Sequence, residues 1–303
     1  MNSGVLAAIG AFTLWGFLPL YLKALDHAQP GEILGHRVVW SLLFIVLLLA
    51  VKRRWGWIAQ VRQSPHLIAV ACGCALLLGT NWLTYIWAVT SGHIVEASLG
   101  YFINPLLNVL LGMLFLGERP RRVQWLALAI AASGVLYMTV AYGEPPWIAL
   151  ILAFSFGCYG LVRKRSPLAS IEGLSLETVV IALPALAYLF YLGSQGQAQF
   201  GQGSLSDDLL FAGTGIATAL PLIWFAYGAQ RITLTQLGLL QYIGPSIQIL
   251  LGVWLFKEEF SGPRIVGFSL IWLALAIYSL EGLYLHRRGI NARKRLVTTP
   301  ARD

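Results

Sequence analysis

Five side-chain amides, Asn81, Asn104, Asn108, Gln241 and Gln248, stand inside long apolar runs of this chain. A polar group deep in such a run is costly unless it bonds to a neighbour or faces a wet cavity. Asn104 and Asn108 are four residues apart, and Gln241 and Gln248 seven, so on helices each pair shares one face. Amides donate and accept hydrogen bonds but do not titrate near neutrality, so their chemistry is the binding of a polar solute. The competing reading is interhelical glue, at about 0.6 kcal/mol per bond. Trp15, Trp82, Tyr85, Trp87, Trp224, Tyr227 and Tyr242 are candidate walls for the same cavity, with apolar packing as the alternative.

Three further groups carry possible chemistry. Glu32 and His36 are four apart with Arg37 beside them, a set able to relay protons because histidine titrates near neutrality. An interfacial ion pair with snorkelling side chains is the blander outcome. Pro105 and Pro245 each remove a backbone donor and are expected to kink their helices as hinges beside the cavity. Glu118 and Glu258 suit helix-end or gate contacts, and Glu177 is placed to pair with Arg163 or Lys164 near the membrane surface.

Other chemistries find no foothold. The chain lacks a Gly-Lys-Ser/Thr phosphate loop, a His-Glu-x-x-His pair and a nucleophile elbow. Cys72, Cys74 and Cys158 fall within apolar runs without metal-ligand spacing. We therefore expect no catalytic residue, metal or cofactor. The partners expected are a small-molecule solute, the lipid bilayer and a coupling proton, without nucleic acid; the oligomeric state is left open.

The elements that hold these residues follow from composition. Only 11% of the 303 residues are charged and 57% are hydrophobic, against about 25% charged in soluble domains. The mean hydropathy is +0.71. A span needs about 17 to 25 mainly apolar residues, and ten windows meet this: 4–24, 33–51, 66–89, 95–117, 123–142, 147–163, 174–192, 209–230, 235–256 and 265–285. Continuous rather than alternating apolarity requires helices, not a barrel. The fold class is thus an all-α integral membrane protein. Trp55 and Trp57 fit an interfacial belt, and Ala127, Ala131 and Gly134 fit close helix packing.

With the N-terminus inside, 17 of the 21 Lys and Arg residues fall on the cytoplasmic side, including six in the tail. Lys23, Arg37, Lys257 and Arg264 fall outside. The positive-inside rule therefore puts both termini in the cytoplasm, and the net charge of +8 reads as contact with anionic headgroups.

A shift of 140 residues aligns the chain on itself from Trp82 to Glu118. Leu99, Ile103, Pro105, Leu110, Leu111, Gly112 and Glu118 then meet Leu239, Ile243, Pro245, Leu250, Leu251, Gly252 and Glu258, while Phe102 meets Tyr242 and Asn108 meets Gln248. Five spans per half is an odd number, so the halves must be inverted, which is the architecture of many secondary carriers. The expected organisation is a first repeat over 4–142, a second over 147–285 and a basic tail over 286–303.

Trp15-Gly16, Glu32 with His36-Arg37, Asn81-Trp82 and the stretch from Glu96 to Leu106 carry a resemblance over nearly the whole chain. Gln241-Tyr242-Ile243, Pro245-Ser246 and Phe154-Ser155-Phe156-Gly157 extend it. The chain resembles the RarD proteins, known as chloramphenicol-sensitive proteins, in the EamA branch of the drug/metabolite transporter superfamily. The resemblance implies a ten-helix carrier of the bacterial inner membrane with two EamA repeats. The function expected is alternating-access transport of a small polar or amphipathic metabolite or drug. A channel-like or regulatory membrane protein that affects drug sensitivity without carrying anything is the alternative. Amides and aromatics without a buried cation favour a neutral or zwitterionic solute over a phosphate ester.

Overall fold

The computed structural model describes residues 2–25, 27–90, 94–142, 147–255 and 262–298. Among them every regular element is an α-helix, in the order α1 (Ser3–Lys23), α2 (Pro30–Val51), α3 (Trp57–Gln63), α4 (Pro65–Thr90), α5 (Ile94–Leu116) and α6 (Arg122–Tyr142). The order continues with α7 (Trp147–Arg165), α8 (Ser170–Ser194), α9 (Leu205–Ala229), α10 (Leu234–Gln241), α11 (Ile243–Trp254) and α12 (Gly262–Thr298).

Local chemistry sets many of the ends. The Asn2 side chain accepts from the Gly4 N–H at 2.9 Å and caps α1. Pro30 opens α2 at a position where no intrahelical N–H is needed. Capping boxes start α9, from Ser204 and Asp207, and α10, from Thr233 and Gln236. α5 stops where Gly117 turns left-handed, at φ 64°, and the Glu118 N–H returns to the Gly112 carbonyl.

Among the described residues seven helices, α1, α2, α4, α6, α7, α8 and α9, are long and apolar enough to cross a bilayer, and shorter apolar segments run over Gly100–Leu116 and Ile265–Glu281. Outward-facing side chains agree with a lipid environment: Leu76, Leu183 and Phe190 are 72, 70 and 81% exposed, a surface that water would not tolerate over such lengths. The protein is a multi-pass helical membrane protein.

Two features depart from the expected spans. The window 235–256 is not one helix, because α10 ends at Gln241 and α11 begins at Ile243. Pro245 explains the break: it has no N–H to give the Gln241 carbonyl, and the ladder resumes one residue later, from the Ser246 N–H to the Tyr242 carbonyl at 3.1 Å. Pro105, by contrast, lies inside an uninterrupted α5. The other departure is α12, which continues beyond the expected end at 285 to Thr298. Glu258 and Glu259 lie outside the described residues.

The chain forms two compact units. The larger comprises Met1–Glu118 and Pro145–Glu259. Its core gathers Phe12, Ile45, Leu78, Tyr159, Phe225 and Leu237, with Phe225 stacked on Tyr159 at 6.0 Å and set edge-on to Phe12 at 6.1 Å. The smaller comprises Arg119–Glu144 and Phe260–Asp303. There α6 packs on α12 through buried Ala127, Ala131 and Gly134, the small-residue contact expected of that span. A Cβ on Gly134 would lie 2.8 Å from the Gly267 carbonyl oxygen. An Arg121–Glu281 ion pair at 3.0 Å closes one end of this pair.

Candidate functional site

Within the larger unit the amides converge on the contact of α5 with α7 and α10. The Asn81 amide nitrogen donates to the Leu152 carbonyl and to Ser155 Oγ, both at 3.0 Å. Asn104 donates to the Ala153 carbonyl at 2.8 Å. Asn108 lies one turn further on and donates to Asn104 Oδ1 at 3.1 Å and to Gln241 Oε1 at 2.9 Å. These four residues are buried, and Asn108 Oδ1 is left without a partner. Gly238 lets α10 come close enough for this, since a Cβ there would sit 2.6 Å from the Pro105 carbonyl oxygen. Tyr242 completes the contact, its hydroxyl donating to the Phe102 carbonyl at 3.2 Å and its ring stacking on Phe102 at 6.4 Å. Gln248 is held elsewhere, on α11, where it donates to the Trp15 carbonyl at 3.0 Å.

Glu118 sits at the start of α10. Its Oε1 accepts from the Leu234 N–H at 2.7 Å, and its Oε2 accepts from the Thr235 N–H at 3.0 Å and from Thr235 Oγ1 at 2.9 Å. This is a carboxylate on the first, unpaired amides of a helix, where the helix dipole favours negative charge. Glu118→Ala is expected to cost about 1–2 kcal/mol of stability, read as a lower thermal midpoint in detergent. Glu118→Gln should recover only part of it, and an unchanged midpoint for both variants would remove the cap from this account.

The aromatic candidates do not form one wall. Trp82 and Tyr85 are half-buried on α4, and Tyr85 meets Tyr101 edge-on at 5.9 Å. Trp15 packs into the core beside Phe156 and Phe225, at 5.7 and 5.8 Å. Trp87 is exposed and tilts against Trp147 at 5.4 Å. Trp224 and Tyr227, on α9, line a separate cavity of about 660 Å³ rimmed by Lys52, Arg54, Glu172 and Arg231. Trp55 is exposed as a belt residue would be, whereas Trp57 is half-buried and packs on Val61, Leu67 and Leu168.

Glu32, His36 and Arg37 neither form an ion pair nor a relay with one another. Glu32 Oε1 accepts from the Gln199 and Phe200 N–H groups at 2.7 and 3.1 Å and so tethers the loop before α9. His36 Nδ1 accepts from the Trp40 indole at 3.2 Å, and its ring packs against both Phe200 and Phe211. Arg37 Nε donates to Thr218 Oγ1 at 3.0 Å, with the guanidinium 5.8 Å from the Trp82 ring centre.

A charged cluster is enclosed within the protein. Arg163 and Glu177, the first of the two pairings expected for Glu177, meet at 3.2 Å with side chains only 1 and 2% exposed. Tyr159 donates to Glu177 Oε2 at 3.2 Å, and Arg163 Nη2 reaches the Ser170 carbonyl at 3.2 Å. Arg163 Nε has no partner. Gly173 makes the route: a Cβ there would fall 1.9 Å from Arg163 Nη1. Lys164 turns to the Ala229 carbonyl at 3.3 Å and to the Ile232 carbonyl. Cations do therefore lie among these helices, contrary to the expectation from the amides and aromatics.

Comparison with known proteins agrees with this architecture. The EamA-like transporter family model matches residues 2–140. Protein RarD of Streptomyces exfoliatus is 44% identical over 100% of this chain and 97% of its own. Protein RarD of Escherichia coli K12 is 44% identical over 95 and 97%, and the Bacillus subtilis protein named uncharacterized transporter YojE is 44% identical over 92 and 94%. A solved crystal structure shares the fold, with a TM-score of 0.71 at 21% identity over 92% of this chain and 98% of that one. A multi-pass helical chain that matches RarD proteins along its full length belongs to the RarD group of the EamA-like transporter family and is a membrane transporter.

Proposed function

We propose that this chain is a secondary carrier that moves a small polar or amphipathic metabolite or drug across the bacterial inner membrane by alternating access. Its working form is ten spans in two inverted repeats, 4–142 and 147–285, with both termini and the basic 286–303 tail in the cytoplasm. The observation that carries this reading is the contact between Phe102 and Tyr242, two residues 140 positions apart whose rings stack on each other. Positions related by an inverted repeat touch only where they lie beside the axis that relates the halves. The end of the family match at residue 140, close to the expected end of the first repeat, supports the same division.

Among the candidates, we assign solute contact to the half-buried Trp82, Tyr85 and Gln248. The buried Asn81, Asn104, Asn108 and Gln241 act as ties: the first three donate to protein acceptors, and Gln241 Oε1 accepts from Asn108. Trp224 and Tyr227 serve the cytoplasmic end of the path, and the turn at Tyr242 and Pro245 is where the helix bends during the cycle, with Pro105 as its counterpart. A proton relay through Glu32, His36 and Arg37 is not part of the proposal, since no bond links them.

The test is counterflow in proteoliposomes with pooled labelled amino acids and chloramphenicol. Saturable uptake that exchanges with trapped solute supports a carrier. Unsaturable flux favours the channel-like alternative, and no flux for any pool favours a regulatory membrane protein. Asn104→Leu is expected to melt earlier, by about 1 kcal/mol, with uptake retained. Lost uptake at an unchanged melting point would move Asn104 into the solute site. Cysteines placed in the 193–208 and 286–303 segments, labelled from one side only, test the orientation.

A further inference from the structure

Arg37, Arg163 and Lys164 are three of the cations on the helices of the larger unit, and the protein uses them differently. Arg163 is neutralised by Glu177 through Nη1, and its Nη2 also reaches the Ser170 carbonyl. Lys164 is held by the carbonyls of Ala229 and Ile232 at the end of α9. Arg37 has only the single bond from Nε to Thr218. Among the described residues no carboxylate pairs with it, and neither terminal nitrogen has an acceptor. Those nitrogens are not sealed within protein, since neither is a fully buried atom and the side chain is half-buried. An uncompensated charge inside a membrane helix is expensive, so a guanidinium left this way is built for something outside the protein.

Its surroundings narrow the choice. Ser41 Oγ lies 2.5 Å from the Arg37 carbonyl and 3.0 Å from that of Gly215, so α2 is fastened to α9 one turn from the arginine. Thr218, on α9, then fixes the guanidinium plane and leaves its outer edge free. That edge offers parallel N–H donors, the fork that matches a carboxylate. The Trp82 ring lies 5.8 Å away, and Tyr85 and Tyr101 are the ionisable groups within electrostatic reach. All three aromatics are half-buried. Among the described residues no second cation acts on Arg37 to balance a phosphate dianion, and no carboxylate does so to receive the ammonium of a zwitterion.

We propose that Arg37 is the recognition point for a monoanionic organic acid, taking its carboxylate on the free guanidinium edge while the apolar or aromatic body rests against Trp82, Tyr85 and Tyr101. That this acid is a transported solute rests on the carrier reading; the binding itself does not. The bound anion replaces the missing counter-ion, so affinity depends on charge more than on the shape of the body.

The test uses the full-length purified protein in detergent with three matched probes: phenylacetate, its neutral analogue phenylacetamide, and phenyl phosphate. Phenylacetate is expected to raise the thermal midpoint in a saturable way and to bind about tenfold or more tighter than phenylacetamide. Arg37→Gln should melt near the wild-type temperature without ligand and lose that preference, while Arg37→Lys, with a charge but no fork, should keep part of it. Equal binding of acid and amide by the wild type, no binding of the acid, tighter binding of phenyl phosphate, or an undiminished preference in Arg37→Gln each overturns the proposal. The wild-type comparison decides even if the variants fold poorly. Acid-selective binding without counterflow of labelled phenylacetate would sink the carrier reading and leave this site standing. Counterflow of neutral solutes that is indifferent to Arg37→Gln, without acid binding, would do the reverse.

Discussion

Glu177→Ala is expected to be the most damaging single substitution outside the glycines, at about 3–5 kcal/mol. The pair it breaks is almost wholly enclosed, with Arg163 and Glu177 at 1 and 2% exposure. Removing the carboxylate leaves a guanidinium that cannot reach water and already has an unpaired Nε. Tyr159, fully buried, loses the acceptor of its hydroxyl at the same time. Against a total stability of about 5–15 kcal/mol, a loss of this size puts much of the population out of the native state. The double variant Arg163→Leu/Glu177→Leu should regain most of it, because replacing both charges removes the desolvation cost together with the attraction. Thermal midpoints in detergent, with the fraction of monodisperse protein, read both effects. A single variant as stable as the wild type, or a double variant worse than the single, would contradict the assignment of the pair to the core.

The second large effect is expected at Gly215. A Cβ there would lie 2.4 Å from the Trp40 carbonyl carbon, 2.5 Å from its Cβ and 2.6 Å from its carbonyl oxygen. Two of these are backbone atoms, so no rotamer change relieves the clash, and α2 and α9 must move apart. Overpacking typically costs about 1–3 kcal/mol, and here the separation also strains the bonds from Ser41 to Gly215 and from Arg37 to Thr218. Gly215→Ala should therefore lie at or above the top of that range. Gly73, on α4, has open space around its would-be Cβ, so Gly73→Ala should be neutral or stabilise by up to about 1 kcal/mol through helix propensity. The contrast between two chemically identical substitutions is the measurement, and equal midpoints for both would sink the packing argument.

Much of the helical layout was readable in advance, because apolar runs bounded by glycine, proline and charge leave the chain few alternatives in lipid. The break between α10 and α11 was half legible: Pro245 announces a missing donor, but Pro105 carries the same signal inside an unbroken α5. The amides show a different difficulty. Asn81, Asn104 and Gln248 bind the carbonyls of Leu152, Ala153 and Trp15, and a backbone acceptor leaves no mark on residue type. For Arg37, spacing within one helix pointed to Glu32 and His36, whereas its partner Thr218 is 181 residues away. For Glu177 the sequence left Arg163 and Lys164 open as partners, and the enclosure of its pair with Arg163 inside the protein was not legible. A basic triplet at a helix end reads as a surface feature, and the inward path past Gly173 depends on a neighbouring helix.

The division of the expected ninth span has a mechanical consequence. α10 is fastened to α5 by Glu118 at one end and by Gln241 and Tyr242 at the other. α11 is fastened to α1, through Gln248 on Trp15 and through Ile247, which fills the space left open by Gly16. The short link at Tyr242 therefore acts as a coupling between two struts. A displacement of α1 relative to α5 is transmitted as torque through the junction where the Gln241 carbonyl lacks its rung.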